Sequence, residues 1–484
     1  MKASFLLCLL VPVLLATEAP APPASIEEKE KKETVTIDGQ EISYKVKASF
    51  LTLKDEKGKD RASLFHVTYL RMGVADRPKR PVTFCFNGGP GSSAVWLHLG
   101  GVGPRLVPTT PDGTATLPPP AVLQPNPFSI LDVSDLVFID PVSTGFSRPE
   151  GDTKKSEFHG VEEDITSVGD FIRRWTSEND RWSSPKYLLG ESYGGIRAAG
   201  LAQHLQDRYG MNLNGVILLS SLLDFRTLRS GPGDDLSHAV FLPAFTATAR
   251  YHNKIEGEMA TLHEEARAFA FGDYTRVLLQ GHEASAEDRE RVAATLQTLT
   301  SLPAAFWLEN HLRISPARFR RELLREQQLT LGRFDSRVAW PAISPQDDYP
   351  DYDPSYRVAY GAFATAINDY LSRELDWKGH HPYEILTSKV HPWNWGRKNS
   401  ILNVTDKLAT SLRDNPDLRI LVMAGYTDLA TPPTGILQSL RTTRQIPESY
   451  RGNITTAWYQ AGHMFYLNQP DLEKMRADLV NFIR

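Results

Sequence analysis

The chain has 484 residues, 41% of them hydrophobic and 23% charged, a balance ordinary for a globular protein with enough length to bury a large core. A formal net charge of −4 over this length, with no dense basic tract and none of the nucleic-acid motif spacings, argues against a nucleic-acid partner. Two cysteines, Cys8 and Cys85, exclude a disulfide-rich scaffold.

The N-terminus reads as a targeting segment. Lys2 precedes an apolar run from Phe5 to Ala16, followed by the small and proline-rich stretch TEAPAPPA. A charged start, a short hydrophobic stretch and small residues at a cleavage position make residues 1–24 a signal peptide, and the run is too short to span a bilayer comfortably. The expectation is a secreted or periplasmic protein with no membrane contact once the signal is removed. Cys8 leaves with it, so Cys85, within VTFCF, is the one mature thiol and is expected in the core. The charged run EEKEKKE (27–33) reads as a solvated linker. From Thr34 to Met72 apolar and polar residues alternate around the polar turn DEKGKD, which predicts antiparallel strands.

Short, non-alternating apolar runs follow: PVTFCF (81–86), DLVFID (135–140), KYLLG (186–190), GVILLS (215–220), RILVMAG (419–425) and ITTAWY (454–459). Such runs suit parallel strands buried on both faces, and hence an α/β sheet covered by helices. Between Leu223 and about Pro416 helix signals dominate. Ser315-Pro316 and Asp353-Pro354 each pair an N-cap with proline at the first helical position, and Ala359, Phe363, Ile367, Tyr370 and Leu371 share one helical face. The predicted organisation is a sheet core over 25–223 and 417–484, with 224–416 inserted as a mainly helical cap. The segment from Gln469 to Arg484 predicts a terminal helix.

Chemistry concentrates in Gly190-Glu191-Ser192-Tyr193-Gly194. A buried strand enters it and a helical segment leaves it, and the flanking glycines permit the sharp turn that lifts a nucleophilic serine above the sheet of an α/β-hydrolase fold. Serine needs a base, and the base needs an orienting carboxylate. In this fold they follow in the order acid, then histidine. Asp428 lies just beyond RILVMAG, and His463 just beyond ITTAWY, the one histidine so placed after that acid. Ser192, Asp428 and His463 are the predicted catalytic residues. Asn87-Gly88-Gly89-Pro90-Gly91-Ser92-Ser93 ends the strand PVTFCF, where its backbone N–H groups, with that of Tyr193, can form an oxyanion hole. A phosphate cradle would need GK[ST], which is absent. His380, His381 and His391 cluster without a metal-ligand spacing, so no metal or cofactor is expected.

FNGGPGSSAVW (86–96), DPVSTGFS (140–147), GESYGG (190–195), the Asp428 loop and GHMFYLNQP (462–470) together resemble the serine carboxypeptidase family of carboxypeptidase Y and the wheat enzyme. The resemblance runs from about residue 80 to the end. It implies release of C-terminal amino acids from peptides with a free C-terminus, through an acyl-enzyme on Ser192. It assigns oxyanion N–H groups to Gly89 and Tyr193, and recognition of the substrate carboxylate to Asn87 and Glu191. Two like charges would repel there, so Glu191 must be protonated, or share a proton with the substrate, to hydrogen-bond it. Two features depart from the family. Gly101, in GGVGPR, stands where a second glutamate is expected, with Arg105 nearby as a candidate carboxylate ligand. The disulfides of secreted and vacuolar eukaryotic members are missing, which by resemblance points to a bacterial branch. An esterase or acyltransferase using the same triad is the alternative activity, and a non-enzymatic binding protein on a hydrolase scaffold a more distant one.

Overall fold

The computed structural model describes residues 28–231, 233–379, 381–396 and 399–484. The expected signal peptide, 1–24, lies outside them, as does His380. Nine strands build the central sheet: β1 (Glu28–Ile37), β2 (Gln40–Lys54), β3 (Asp60–Arg71), β4 (Val82–Phe86), β5 (Asp135–Ile139), β6 (Lys186–Glu191), β7 (Gly215–Leu219), β8 (Arg419–Gly425) and β9 (Ile454–Tyr459). They lie in the spatial order β1-β2-β3-β5-β4-β6-β7-β8-β9, with the two-residue strand Arg148–Pro149 added against β3. The first three pair antiparallel, β3 meets β5 antiparallel, and every later pair from β5/β4 to β8/β9 is parallel. The non-alternating apolar runs are the strands they were expected to be, because β4 to β7 are covered on both faces. Cys85 is fully buried in β4.

The charged run is a strand, not a linker. Glu28 to Glu33 belong to β1 and pair with β2, where Glu28 and Glu30 reach Lys47 and Lys45 at 2.7 and 2.8 Å. An edge strand tolerates charge on its exposed face, and opposite signs across the ladder favour the pairing.

On one face of the sheet the helices α1 (Val161–Glu178) and α2 (Gly194–Tyr209) bury Ile165, Phe171, Trp175, Leu201 and Leu205. On the other, the terminal helix Gln469–Ile483 buries Met475 and Leu479. Between β7 and β8 helices dominate. Ser315 and Asp353 cap theirs by accepting from the backbone N–H of Arg318 and Ser355. This interval does not pack as one body. Residues from Ala239 to Leu331 form a separate cluster with Leu429 of the loop after β8, with Phe245 stacked on Phe319 at 4.1 Å and Trp307 buried among them. It also contains a short hairpin, Leu329–Leu331 with Ala339–Pro341. The helix Thr405–Asp414 instead buries Leu408 and Leu412 in the α1/α2 layer. The helix Pro354–Asp369 buries Ala359, Phe363 and Ile367 in the same cluster as β2, β3 and the π-helical segment Leu97–Val102.

Phe363 holds that last helix down. It is fully buried, its ring is 5.0 Å from that of Trp96, and Gly100 leaves room for its edge. Phe363→Ala should lower unfolding stability by about 3–5 kcal/mol, as cavity-forming aromatic truncations do, measured by denaturant titration. A loss below about 1 kcal/mol would mean that this helix is not seated as described.

Candidate active site

Ser192 sits on the turn from β6 into α2 with φ +62°, a left-handed conformation that few non-glycine residues adopt. Its N–H donates to the carbonyl of Leu219 in β7, and its carbonyl accepts from Gly195 N, which pins the turn. The glycines around it have no room for side chains. A Cβ on Gly190 would lie 2.2 Å from the carbonyl oxygen of Gly194, and one on Gly88 would lie 2.4 Å from the nitrogen of Tyr193. The loop after β4 and the serine turn therefore touch backbone to backbone. Arg197 braces the contact. It is buried, pairs with Asp164 of α1 at 2.8 Å and donates to the carbonyl of Asn87 at 2.6 Å. The backbone N–H groups of Gly89 and Tyr193 make no hydrogen bond among the described residues, so both remain available to an incoming oxyanion.

Asp428 and His463 occupy the loops after β8 and β9, at the carboxyl edge of the sheet. His463 Nδ1 lies 2.8 Å from Asp428 Oδ2, a contact that places the ring proton on Nδ1 and leaves Nε2 free as a base. Asp428 Oδ1 accepts from the backbone N–H groups of Ala430 and Thr431 at 2.7 and 2.9 Å. The Thr431 hydroxyl lies within 2.9 Å of Asp428 Oδ2, His463 Nδ1 and the carbonyl of Ser220, tying the acid, the base and the end of β7 together. Burial alone would lower the His463 pKa, but the charge and hydrogen bond of Asp428 overcome it and raise it. Ser192, His463, Glu191, Asn87 and Gly89 all line one cavity of about 330 Å³.

Glu191 is 3% exposed, and burial pushes its pKa up to about 7 against the opposing effects of His463, Tyr466 and Asn87. The hydroxyl of Tyr466 donates to its Oε2 at 2.9 Å. Asn87 Oδ1 accepts from Leu97 N, while its Nδ2 is buried without a hydrogen-bond partner beside the cavity. Gly101 is buried in the π-helical segment, and a Cβ there would face Met475 at 3.5 Å and the ring of Tyr466 at 4.0 Å. Where a second acid was expected, Glu191 has the phenol of Tyr466 as a hydrogen-bond donor. Arg105 is not a carboxylate ligand of this cavity. It forms a bidentate pair with Glu374 at 2.5 and 2.9 Å and lies over the ring of Tyr370.

Several contributors carried no signal in the sequence. Phe334 is tilted against the His463 ring at 5.1 Å and its carbonyl accepts from His463 N, so a loop far away in sequence seats the histidine. Arg333, Trp96 and Tyr356 add to the cavity wall, as does the segment from Leu386 to His391. Tyr466 and Thr431 were within reach of inspection, being three residues beyond His463 and Asp428. Among the described residues no group of three or more histidines, cysteines and acids is placed to hold a metal ion, and no helix is long and apolar enough to cross a membrane.

A serine turn with positive φ, a buried histidine–carboxylate pair and a glycine-rich loop thus meet at the edge of the sheet of an α/β-hydrolase fold. The family follows from comparison: a family model described as serine carboxypeptidase matches residues 38–469, and the chain belongs to that family. It is similar to serine carboxypeptidase-like 31 of Arabidopsis thaliana, 25% identical over 232 residues that cover 44% of each chain. Serine carboxypeptidase-like 44 of the same plant is 28% identical over 197 residues, 39% of this chain and 38% of that one. The chain thus spans less than half the length of these relatives in the matched regions. A solved structure, a prohormone-processing carboxypeptidase of Saccharomyces cerevisiae, superposes with a TM-score of 0.55 at 18% identity over 90% of both chains, which shows the shared fold.

A serine-directed fluorophosphonate should label the protein once, and Ser192→Ala should abolish labelling. Asp428→Asn should slow labelling by about 10⁴-fold by removing the charge that fixes the histidine tautomer. Equal labelling of Asp428→Asn and wild type would remove Asp428 from the site.

Proposed function

We propose that the protein is a serine carboxypeptidase that releases C-terminal amino acids from peptides. The observation that carries this reading is a buried glutamate, Glu191, immediately before the nucleophile and in the same cavity as the Asn87 side chain. A peptide's terminal carboxylate is ionised above about pH 3.5. It can accept a hydrogen bond from a neutral Glu191 and from the unpartnered Nδ2 of Asn87, whereas an ester or an amide offers no anion to that pair. This favours a carboxypeptidase over an esterase or acyltransferase with the same triad.

In this reading Ser192 Oγ attacks the carbonyl carbon of the last peptide bond while its proton passes to His463 Nε2. The oxyanion takes N–H groups of Gly89 and Tyr193. The proton on His463 then moves to the leaving nitrogen, the C–N bond breaks, and the amino acid departs. Water, activated by the same histidine, hydrolyses the ester on Ser192. Asp428 holds the ring throughout. The same proposal extends to localisation: residues 1–24 act as an export signal, and the mature chain works outside the cytoplasm.

The sign of the pH dependence follows from Glu191. Its proton is held below about pH 7 and lost above it, so recognition of a free C-terminus weakens as pH rises through about 7. The neutral His463 needed as base sets the opposite, acid limb. Assayed from pH 4 to 8, a peptide with a free C-terminus should be trimmed only in the window between these two limbs and its C-terminal amide should not, with Ser192→Ala inactive on both. Cleavage of a simple ester with neither peptide cut would leave an esterase. Glu191→Gln should remove the rise in KM above pH 7, because glutamine donates at every pH. Tyr466 lowers the Glu191 pKa by its hydrogen bond, so Tyr466→Phe should move that alkaline limb to higher pH. A limb unmoved in both variants would assign it to another group.

A further inference from the structure

The cavity carries a cation that neither the triad nor the carboxylate pair uses. Arg333 is exposed on its wall, next to Phe334, which packs on His463. Neighbouring arginines are engaged: Arg320 donates to the carbonyl of Leu331, Arg325 to Glu322, and Arg337 pairs with Asp335. Among the described residues no carboxylate lies within ion-pairing distance of the Arg333 guanidinium, which rests over the Phe334 ring at 5.4 Å. Its backbone is fixed, however. Arg333 N donates to Asp353 Oδ1, Phe334 N donates to Ser355 Oγ, and the Phe334 carbonyl holds His463 N. The side chain is thus mounted on the segment that seats the catalytic histidine. The one carboxyl group on the cavity wall is Glu191, so no fixed anion there competes for Arg333 when Glu191 is neutral.

Depth separates the two recognition elements. Glu191 and Asn87 are nearly fully buried, whereas Arg333 is at the open rim. A terminal carboxylate taken by the deep pair leaves Arg333 to meet a side chain of a residue flanking the scissile bond. The geometry points to Arg333 as a specificity-determining residue that selects peptides with an aspartate or glutamate side chain beside the scissile bond. A guanidinium held over an aromatic ring offers its N–H donors to such a carboxylate.

This inference rests on the carboxypeptidase reading, and its test separates the two. Four N-acylated peptides with free C-termini, carrying Glu or Gln at the last or the penultimate position, are compared by kcat/KM in wild type, Arg333→Gln and Arg333→Glu. Wild type should prefer Glu over Gln at one of the two positions by about tenfold or more, the scale of a charge-assisted hydrogen bond. Arg333→Gln should collapse that ratio toward one, and Arg333→Glu should turn it in favour of Lys over Gln in a matching pair. A wild-type ratio near one at both positions would overturn the inference while leaving the carboxypeptidase intact. So would a loss in Arg333→Gln that is equal for all four peptides, since that would place Arg333 on the terminal carboxylate. Equilibrium binding of the same peptides to Ser192→Ala, by calorimetry, reads the Glu/Gln ratio without turnover. A preference in binding with no cleavage by wild type would sink the carboxypeptidase reading alone.

Discussion

The site depends on backbone meeting backbone where the end of β4 approaches the turn between β6 and α2. Gly88 and Gly194 allow that approach, and a methyl group at either would sit inside van der Waals contact with main-chain atoms of the other segment. The N–H groups of Gly89 and Tyr193 flank that contact without hydrogen-bond partners among the described residues, and Ser192 beside them holds a left-handed conformation. Arg197, buried between Asp164 and the Asn87 carbonyl, fixes the separation from below. The buried guanidinium is ion-paired with Asp164, so it stiffens the contact without leaving an uncompensated charge. Oxyanion stabilisation depends on donors already in place before charge develops, which makes this contact the one the chemistry requires.

Burial then gives two neighbouring groups different acid–base properties. Glu191 and His463 lie in the same desolvated cavity. The histidine has Asp428 at 2.8 Å and is raised, whereas the glutamate has only neutral donors within hydrogen-bond reach and keeps its proton to about pH 7. One desolvated pocket thus supplies a base and a neutral hydrogen-bond donor in adjacent positions. Tyr466 links this to the rest of the molecule. Its ring packs by Gly101, and its phenol meets Glu191, so a glycine in place of a second acid is matched by an aromatic from the last loop.

The segment between β7 and β8 serves the site in separate pieces. Ala239 to Leu331 forms a hydrophobic cluster that reaches the sheet core through Leu429, while the loop 332–336 threads past the His463 loop and the Pro354–Asp369 helix carries Tyr356 to the cavity wall. Gly462 has no room for a Cβ because the Phe334 carbonyl and Asp335 lie against it. The insertion is therefore keyed to the catalytic loop by backbone contact as tight as that between Gly88 and Tyr193.

The sequence by itself determined the sheet strands, the strand-to-helix turn at Ser192 and the order in which Asp428 and His463 follow. Each is a local pattern: an apolar run buried on both faces, glycines where a Cβ cannot fit, a polar residue just past a strand. It misread Glu28 to Glu33, since charge spacing alone does not reveal that Lys45 and Lys47 lie across a ladder. It also placed Arg105 near a substrate carboxylate, when Glu374, 269 residues away, already holds it. Only the tertiary structure decided that Tyr466 meets Glu191, that Phe334 seats His463 and that Arg333 faces the cavity. Those contacts join segments far apart in the chain through packing, and no periodicity or spacing encodes which distant side chain will fill a given gap.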